Sequence, residues 1–105
     1  MRVFNEKLLD EFRARGRCEI CNAWRNRRFP HHWYARGMAN GSRLDIRENV
    51  IGLCLACHEK CHNCKIDRAY TLEIIAQRER KTPQECKEVI WNTLARKKET
   101  PRVHD

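Results

Sequence analysis

The chain has 105 residues, of which 34% are charged, and its formal net charge is +8 at pH 7. This length suits one small domain over residues 1–105, whose core is limited in size. The basic charge favours a polyanionic partner, with nucleic acid first. A basic face that binds nothing is the alternative.

No apolar run approaches the length of a bilayer span, and the charged N-terminus lacks the apolar stretch of a signal peptide. We therefore expect no membrane partner and a cytoplasmic location. Cytoplasmic thiols stay reduced, so the seven cysteines indicate metal ligands rather than disulfides.

The N-terminal segment predicts a helix followed by a tight knuckle. Apolar residues recur at helical spacing in residues 4–16, with Asn5 as the N-cap and Gly16 ending the helix in a left-handed turn. The stretch "CEIC" at 18–21 then brings two cysteines together.

A β-hairpin is predicted next. Residues 27–34 form a short strand, because Pro30 interrupts any helix there. Residues 36–48 contain glycine and asparagine and are expected to be a loop. The apolar run "NVIGLC" at 49–54 is the returning strand.

Three further helices are predicted in the C-terminal half. One begins at Cys57 and continues through "HEKCH", and the others form a helical extension over 67–98. The last of them starts with the capping sequence "TPQE", in which Thr82 is the N-cap and Glu85 reaches back. Its apolar face contains Cys86, Val89, Ile90, Thr93 and Leu94.

Two Cys-x-x-Cys pairs, Cys18 with Cys21 and Cys54 with Cys57, predict a structural zinc site. Zinc takes four thiolates in a tetrahedron at about 2.3 Å, and a two-residue gap turns both sulfurs of a pair toward one ion. A knuckle, a hairpin and a helix that carries the last ligands are typical of a treble-clef arrangement.

Three cysteines remain. Cys61 and Cys64 form a third Cys-x-x-Cys, which can displace a ligand of the zinc site, join a second site or be ordinary helix residues. Cys86 lies on an apolar helix face and is interpreted as a core residue.

The histidines follow an ordered pattern with one asparagine: His31, His32, Asn49, His58 and His62. His58 and His62 are four residues apart, so on a helix they share one face and can bind one ion. Together with "CEIC", "PHHW" and "ENVIGLCLACHEKCH", this order resembles the HNH endonuclease family, in the form that carries a cysteine zinc site. The resemblance covers residues 17–64.

The resemblance implies an α+β, ββα-metal core flanked by N-terminal and C-terminal helices. It implies a metal-dependent hydrolysis of phosphodiester bonds, with double-stranded DNA as the expected substrate. By position, His32 is the general base, Asn49 orients it, and His58 and His31 bind the catalytic ion. His62 matches an extra helical ligand of some members, the nuclease colicins among them.

His31 departs from the family pattern, since many members have an aspartate at this position. Imidazole ligands leave the ion open among Mg²⁺, Mn²⁺, Ni²⁺ and Zn²⁺. Neighbours on a regular strand also point to opposite faces, so His31 and His32 cannot both reach one site from it. Either the strand is distorted after Pro30 or one histidine serves the fold.

Five arginines in or near the hairpin are candidate phosphate contacts, although each is equally interpreted as surface charge. They are Arg25, Arg27, Arg28, Arg36 and Arg43. Small nucleases of this kind occur in phages, so the resemblance also implies a bacterial or phage-infected host cell. The protein partners expected on this basis are a second copy of the chain or a phage packaging or recombination protein.

Two functions of other classes stay open. A zinc-stabilised nucleic-acid-binding module without catalysis needs the cysteines and the basic charge but not the histidines. A zinc-built protein-interaction domain would neither bind nor cut DNA.

Overall fold

A computed structural model describes residues 2–36 and 42–103 of the chain. The described part is an α+β fold, as predicted. Its strands are β1 (Arg2–Val3), β2 (Gly16–Arg17), β3 (Trp24–Arg25), β4 (Phe29–His32), β5 (Ala35–Arg36), β6 (Ser42–Leu44) and β7 (Val50–Leu53). Its helices are α1 (Glu6–Arg13), α2 (Leu55–His62), α3 (Arg68–Glu79) and α4 (Pro83–Val103), with a 3₁₀ helix at Arg47–Asn49.

Helix α1 begins as predicted but ends differently. The Asn5 side chain accepts a hydrogen bond from the Leu8 amide at 3.0 Å. The prediction of a left-handed turn at Gly16 is wrong, because the helix ends at Arg13 and Gly16 lies in β2. The C-terminal carbonyls of α1 are satisfied instead by Arg28, whose guanidinium donates to the carbonyl oxygens of Glu11 and Ala14 at 3.0 and 2.9 Å.

The predicted hairpin is formed by β4 and β7, which pair antiparallel with His31 opposite Ile51 and His32 opposite Val50. Strand β7 lies at the centre of the molecule, since all four of its residues are buried. A Cβ on Gly52 would stand 3.3 Å from the Phe12 carbonyl oxygen, so the close approach of α1 to β7 favours glycine there.

The segment predicted as a loop, residues 36–48, contains β6 and the first two residues of the 3₁₀ helix. Strand β6 pairs parallel with β1 and antiparallel with β5, and Leu44 is fully buried. The loop prediction is therefore wrong for this part, because the N-terminal strand supplies a pairing partner more than 30 residues away in sequence. Residues 37–41 of the predicted loop lie outside the described residues.

Helix α2 begins at Leu55, two residues before the predicted start at Cys57, because Cys54 is its N-cap. Helices α3 and α4 have the predicted starts. Asp67 caps α3 by accepting from the Ala69 amide at 3.0 Å. The capping box of α4 is formed in both directions, with Thr82 accepting from the Glu85 amide at 3.1 Å and Glu85 accepting from the Thr82 amide at 2.8 Å. Arg80, in the left-handed conformation, ends α3.

The main core lies between β7, α2, α3 and α4. Its buried residues include Ile51, Leu53, Leu72, Ile75 and Ala76, together with four of the seven cysteines. Cys86 is among them and is fully buried, which confirms its predicted role in the core. Over residues 2–36 and 42–103, no helix combines the length and the apolar character that crossing a membrane requires.

Candidate metal centres

The four cysteines of the two predicted pairs form one cluster. The sulfur atoms of Cys18, Cys21, Cys54 and Cys57 all lie within 4.8 Å of one another. Four sulfurs at about 2.3 Å around a tetrahedral zinc would be about 3.8 Å apart. The Cys21 and Cys54 sulfurs stand at 3.8 Å, so the cluster has the size of a zinc site.

Each Cys-x-x-Cys turn directs a backbone amide at its first sulfur. The Cys21 amide donates to the Cys18 sulfur and the Cys57 amide donates to the Cys54 sulfur, both at 3.5 Å. Burial works against ionisation of Cys18, but hydrogen bonds from backbone amides lower the pKa of this thiol to about 7. Burial raises the pKa of Cys57. The protein alone therefore does not ionise all four thiols. A divalent cation bound to the sulfurs would favour their thiolate forms.

Glu19, inside the knuckle, connects the cysteine cluster to the rest of the fold. Its carboxylate accepts from the Gly52 amide at 2.7 Å and from the Arg78 guanidinium at 2.9 Å. Its own amide donates to the Gly52 carbonyl at 3.0 Å. The knuckle is thus attached to β7 by backbone pairing and to α3 by an ion pair.

The third Cys-x-x-Cys does not join the cysteine cluster. Cys61 is half-buried and packs against the core, and burial raises the pKa of its thiol. Cys64 is exposed and has a positive φ of 58° just after α2. Three roles were open for Cys61 and Cys64: a ligand of the zinc site, a ligand of a second site, or an ordinary residue of the helix. Their placement favours the ordinary role, with Cys61 in α2 and Cys64 just after its end.

His31, His58 and His62 form a second cluster, and their ring nitrogens lie within 4.8 Å of one another. His58 and His62 are one turn apart on α2, with their Nε2 atoms 3.2 Å apart. His31, on β4, meets both rings edge-on at centroid distances of 5.6 and 5.1 Å. The hairpin and the helix thereby bring together the three imidazoles that the family resemblance implies as ligands of the catalytic ion.

Burial lowers the pKa of His31 to about 4, and the charges of His62 and His58 act in the same direction. The pKa of His58 is also lowered, by burial first and then by His62. Both imidazoles are therefore neutral at physiological pH, with lone pairs available for a cation.

His32 is not part of this cluster, because neighbours on β4 point to opposite sides of the strand. Its Nε2 atom lies 2.7 Å from Oδ1 of Asp45. Both His31 and His32 nevertheless border one cleft of about 920 Å³, which His58 and His62 also line. The strand therefore places one histidine in the cluster and the other beside it.

Asp45 is the site residue that sequence reasoning missed. Its fully buried carboxylate accepts from Arg43 at 3.0 and 2.8 Å and from the Asn5 amide at 2.8 Å. Burial would raise the pKa of Asp45, but hydrogen bonds from Arg43, Asn5 and His32 hold it below the ordinary value. The contact with His32 depends on β6, which the sequence presented as a loop, so no local spacing indicated it.

Asn49 is fully buried behind the hairpin. Its side chain donates to the carbonyls of Tyr34 and Leu44, both at 3.0 Å, and accepts from the Tyr34 amide at 2.7 Å. Its carbonyl accepts from the Trp33 amide at 2.8 Å. Asn49 thus fixes the backbone that follows His32.

The candidate phosphate-binding arginines differ in their surroundings. Arg28 donates to three backbone carbonyls, and Arg43 is bound to Asp45 and Glu6. Arg25 donates to the Trp24 carbonyl, and Arg27 lies 5.7 Å over the ring of Phe29. The side chain of Arg36 lies outside the described residues.

Comparison of the chain with protein-family models, with curated proteins and with solved structures found no match. By its structure, the described part of the chain is a small α+β domain with a four-cysteine cluster of zinc-site size and a separate three-histidine cluster.

Proposed function

We propose that this chain is a metal-dependent endonuclease of the HNH type that hydrolyses phosphodiester bonds in DNA. The observation that carries the proposal is the shared cleft, which both the residues of the three-histidine cluster and His32 line. The order of knuckle, hairpin and helix is that of a ββα-metal core, and the net charge of +8 suits a DNA substrate.

His31, His58 and His62 would hold the catalytic cation. A divalent ion bound there would act as a Lewis acid toward a phosphate oxygen and offset the charge of the leaving group. Three protein ligands leave at least one coordination position for that oxygen. Zn²⁺ and Ni²⁺ fit a set of imidazoles better than Mg²⁺ does.

His32 would be the general base. An ionised Asp45 can only accept a hydrogen bond, so Nε2 of His32 carries the proton and Nδ1 keeps its lone pair. Nδ1 can then take a proton from the attacking water. Asp45 and Asn49 serve this step indirectly, since one fixes the ring of His32 and the other fixes the chain that follows it.

The test is the cutting of a supercoiled plasmid by the zinc-loaded protein with added Mg²⁺, Mn²⁺, Ni²⁺ or Zn²⁺. Because a general base contributes about 100- to 10,000-fold, we expect His32→Ala to lower the rate by at least about 100-fold while the protein stays folded. His104→Ala is the matched control, since no role is predicted for that histidine.

Equal cutting by the His32→Ala and wild-type proteins would refute the assignment. Salt-dependent DNA binding without cutting under any of these ions would instead favour the non-catalytic zinc module.

A further inference from the structure

Arg68, the first residue of α3, is held in a fixed position on Trp33. Its guanidinium lies 4.3 Å from the centroid of the indole ring. It donates to the Trp33 carbonyl at 3.0 Å, and the indole Nε1 donates back to the Arg68 carbonyl at 3.0 Å. A cation–π contact and two reciprocal hydrogen bonds therefore hold the Arg68 side chain in place. They offset the conformational entropy that a long side chain loses when it is ordered.

Arg68 has no carboxylate partner among the described residues, unlike several other arginines of the fold. Those with an ion pair are Arg13, Arg43, Arg47 and Arg78. The neighbouring Asp67 uses its carboxylate to cap α3 at the Ala69 amide. The Arg68 guanidinium has five N–H donors, and its one hydrogen bond within the described part of the chain is to Trp33.

The guanidinium borders the proposed catalytic cleft. Arg68 and Trp33 line the same cavity as His31, His32 and His62. Trp33, which holds Arg68, directly follows His32, the proposed base. Arg68 is therefore attached to the same short stretch of chain as that base. The Arg68 guanidinium is ordered, has no carboxylate partner among the described residues and lines the same cleft as the three-histidine cluster. It is therefore suited to contact an anion that also contacts a metal ion held by that cluster.

We propose that Arg68 binds a backbone phosphate of the nucleic acid in this cleft, with Trp33 as its support. The proposal rests on the proposed function for the identity of the ligand as a phosphodiester. Arg68 would position the strand, while the three-histidine cluster receives the phosphate that is cut. A planar guanidinium matches phosphate oxygens better than an ammonium group does.

The test measures duplex DNA binding in the His32→Ala background, where cutting is expected to be at least about 100-fold slower, as a function of salt concentration. The variants are Arg68→Gln, which removes the charge but keeps a polar side chain, and Arg68→Lys, which keeps the charge. Arg15→Gln removes an exposed arginine that does not line the cleft and is the matched control.

Loss of one phosphate contact lowers the slope of log affinity against log salt by about 0.9. We expect this change for Arg68→Gln, with about three- to tenfold weaker binding near 0.1 M salt. Arg68→Lys should keep the slope but bind more weakly than the parent. Arg15→Gln should match the parent.

Equal slopes and affinities for Arg68→Gln and Arg15→Gln would overturn this inference while leaving the cutting assay of the proposed function untouched. If His32→Ala cuts as wild type does but Arg68→Gln still loses one phosphate contact, the proposed base is wrong and the phosphate site stands.

Discussion

His31 and His32 are adjacent in sequence but have opposite surroundings. His31 is packed among other imidazoles, and burial lowers its pKa to about 4. His32 faces an ionised, fully buried carboxylate at 2.7 Å. The alternation of side chains along β4 produces this difference, since it sends one ring to α2 and the other to β6. One residue is therefore suited to hold a cation and the other to hold a proton on a defined nitrogen.

The lowered pKa values of His31 and His58 predict a weak pH dependence of metal binding. Protons compete with a cation only at pH values near or below the pKa of the ligand. For three exposed imidazoles of pKa about 6.5, the fully unprotonated fraction falls by about 50-fold from pH 7.5 to 6.0. We expect a fall in affinity of less than about tenfold, measured by calorimetry with Ni²⁺ on protein that already contains one zinc.

His31→Ala is the control for that experiment, because it should remove the second binding event at both pH values. A wild-type affinity that falls by about 50-fold or more would contradict the prediction, since it would mean that these rings titrate as exposed imidazoles do.

Helix α2 connects the two clusters at the scale of secondary structure. Cys57 and His58 are consecutive, yet the thiol belongs to the cysteine cluster and the imidazole to the histidine cluster. Successive residues of an α-helix point about 100° apart, so one helix can present sulfur to the core and nitrogen to the cleft. The cysteine cluster therefore fixes the helix on which His58 and His62 depend.

The knuckle gives a prediction at the same scale. Glu19→Ala removes the acceptor of the Gly52 amide and the ion pair with Arg78. Hydrogen bonds to charged groups are worth about 1.5–3 kcal/mol, so we expect the free energy of unfolding to fall by about 2 kcal/mol. Denaturant unfolding of the zinc-loaded protein measures this change.

Glu73→Ala is the matched control, because Glu73 is exposed on α3. A change of less than about 0.5 kcal/mol is expected for such a surface position. If both variants lose the same stability, Glu19 does not attach the knuckle in the way described.

At the scale of the whole molecule, the cysteine cluster occupies part of the core that aliphatic side chains would otherwise fill. Cys18, Cys54 and Cys57 are buried among the aliphatic residues of β7 and α3. A domain of this size has about 5–15 kcal/mol of stability, and a structural zinc contributes about 10–16 kcal/mol. The ion is thus expected to account for most of the stability.

We therefore expect Cys18→Ser, or strong chelation of the wild-type protein, to abolish cooperative unfolding. Circular dichroism combined with metal analysis measures this result. Cys64→Ser is the control, because Cys64 is exposed and outside the cluster. Cooperative unfolding of zinc-free wild-type protein would disprove the structural role of the ion.

The sequence by itself determined the features that depend on neighbours a few residues apart. The Cys-x-x-Cys turns, the caps at Asn5 and Thr82, and the pairing of His58 with His62 are all of this kind. Each is a matter of one turn of backbone, so spacing alone predicts the geometry. The hairpin was also predictable, since Pro30 excludes a helix in its first strand and the returning strand is a short apolar run.

Only the tertiary structure decided which polar groups meet across the fold. Asp45 reaches His32 over 13 residues, and Arg68 reaches Trp33 over 35. The pairing of β6 with β1 and the hydrogen bond from Arg28 to the Ala14 carbonyl at the end of α1 are of the same type. Such contacts depend on how the elements pack. Because a charged side chain in a surface segment looks the same in sequence whether it meets water or a buried partner, local spacing could not reveal them.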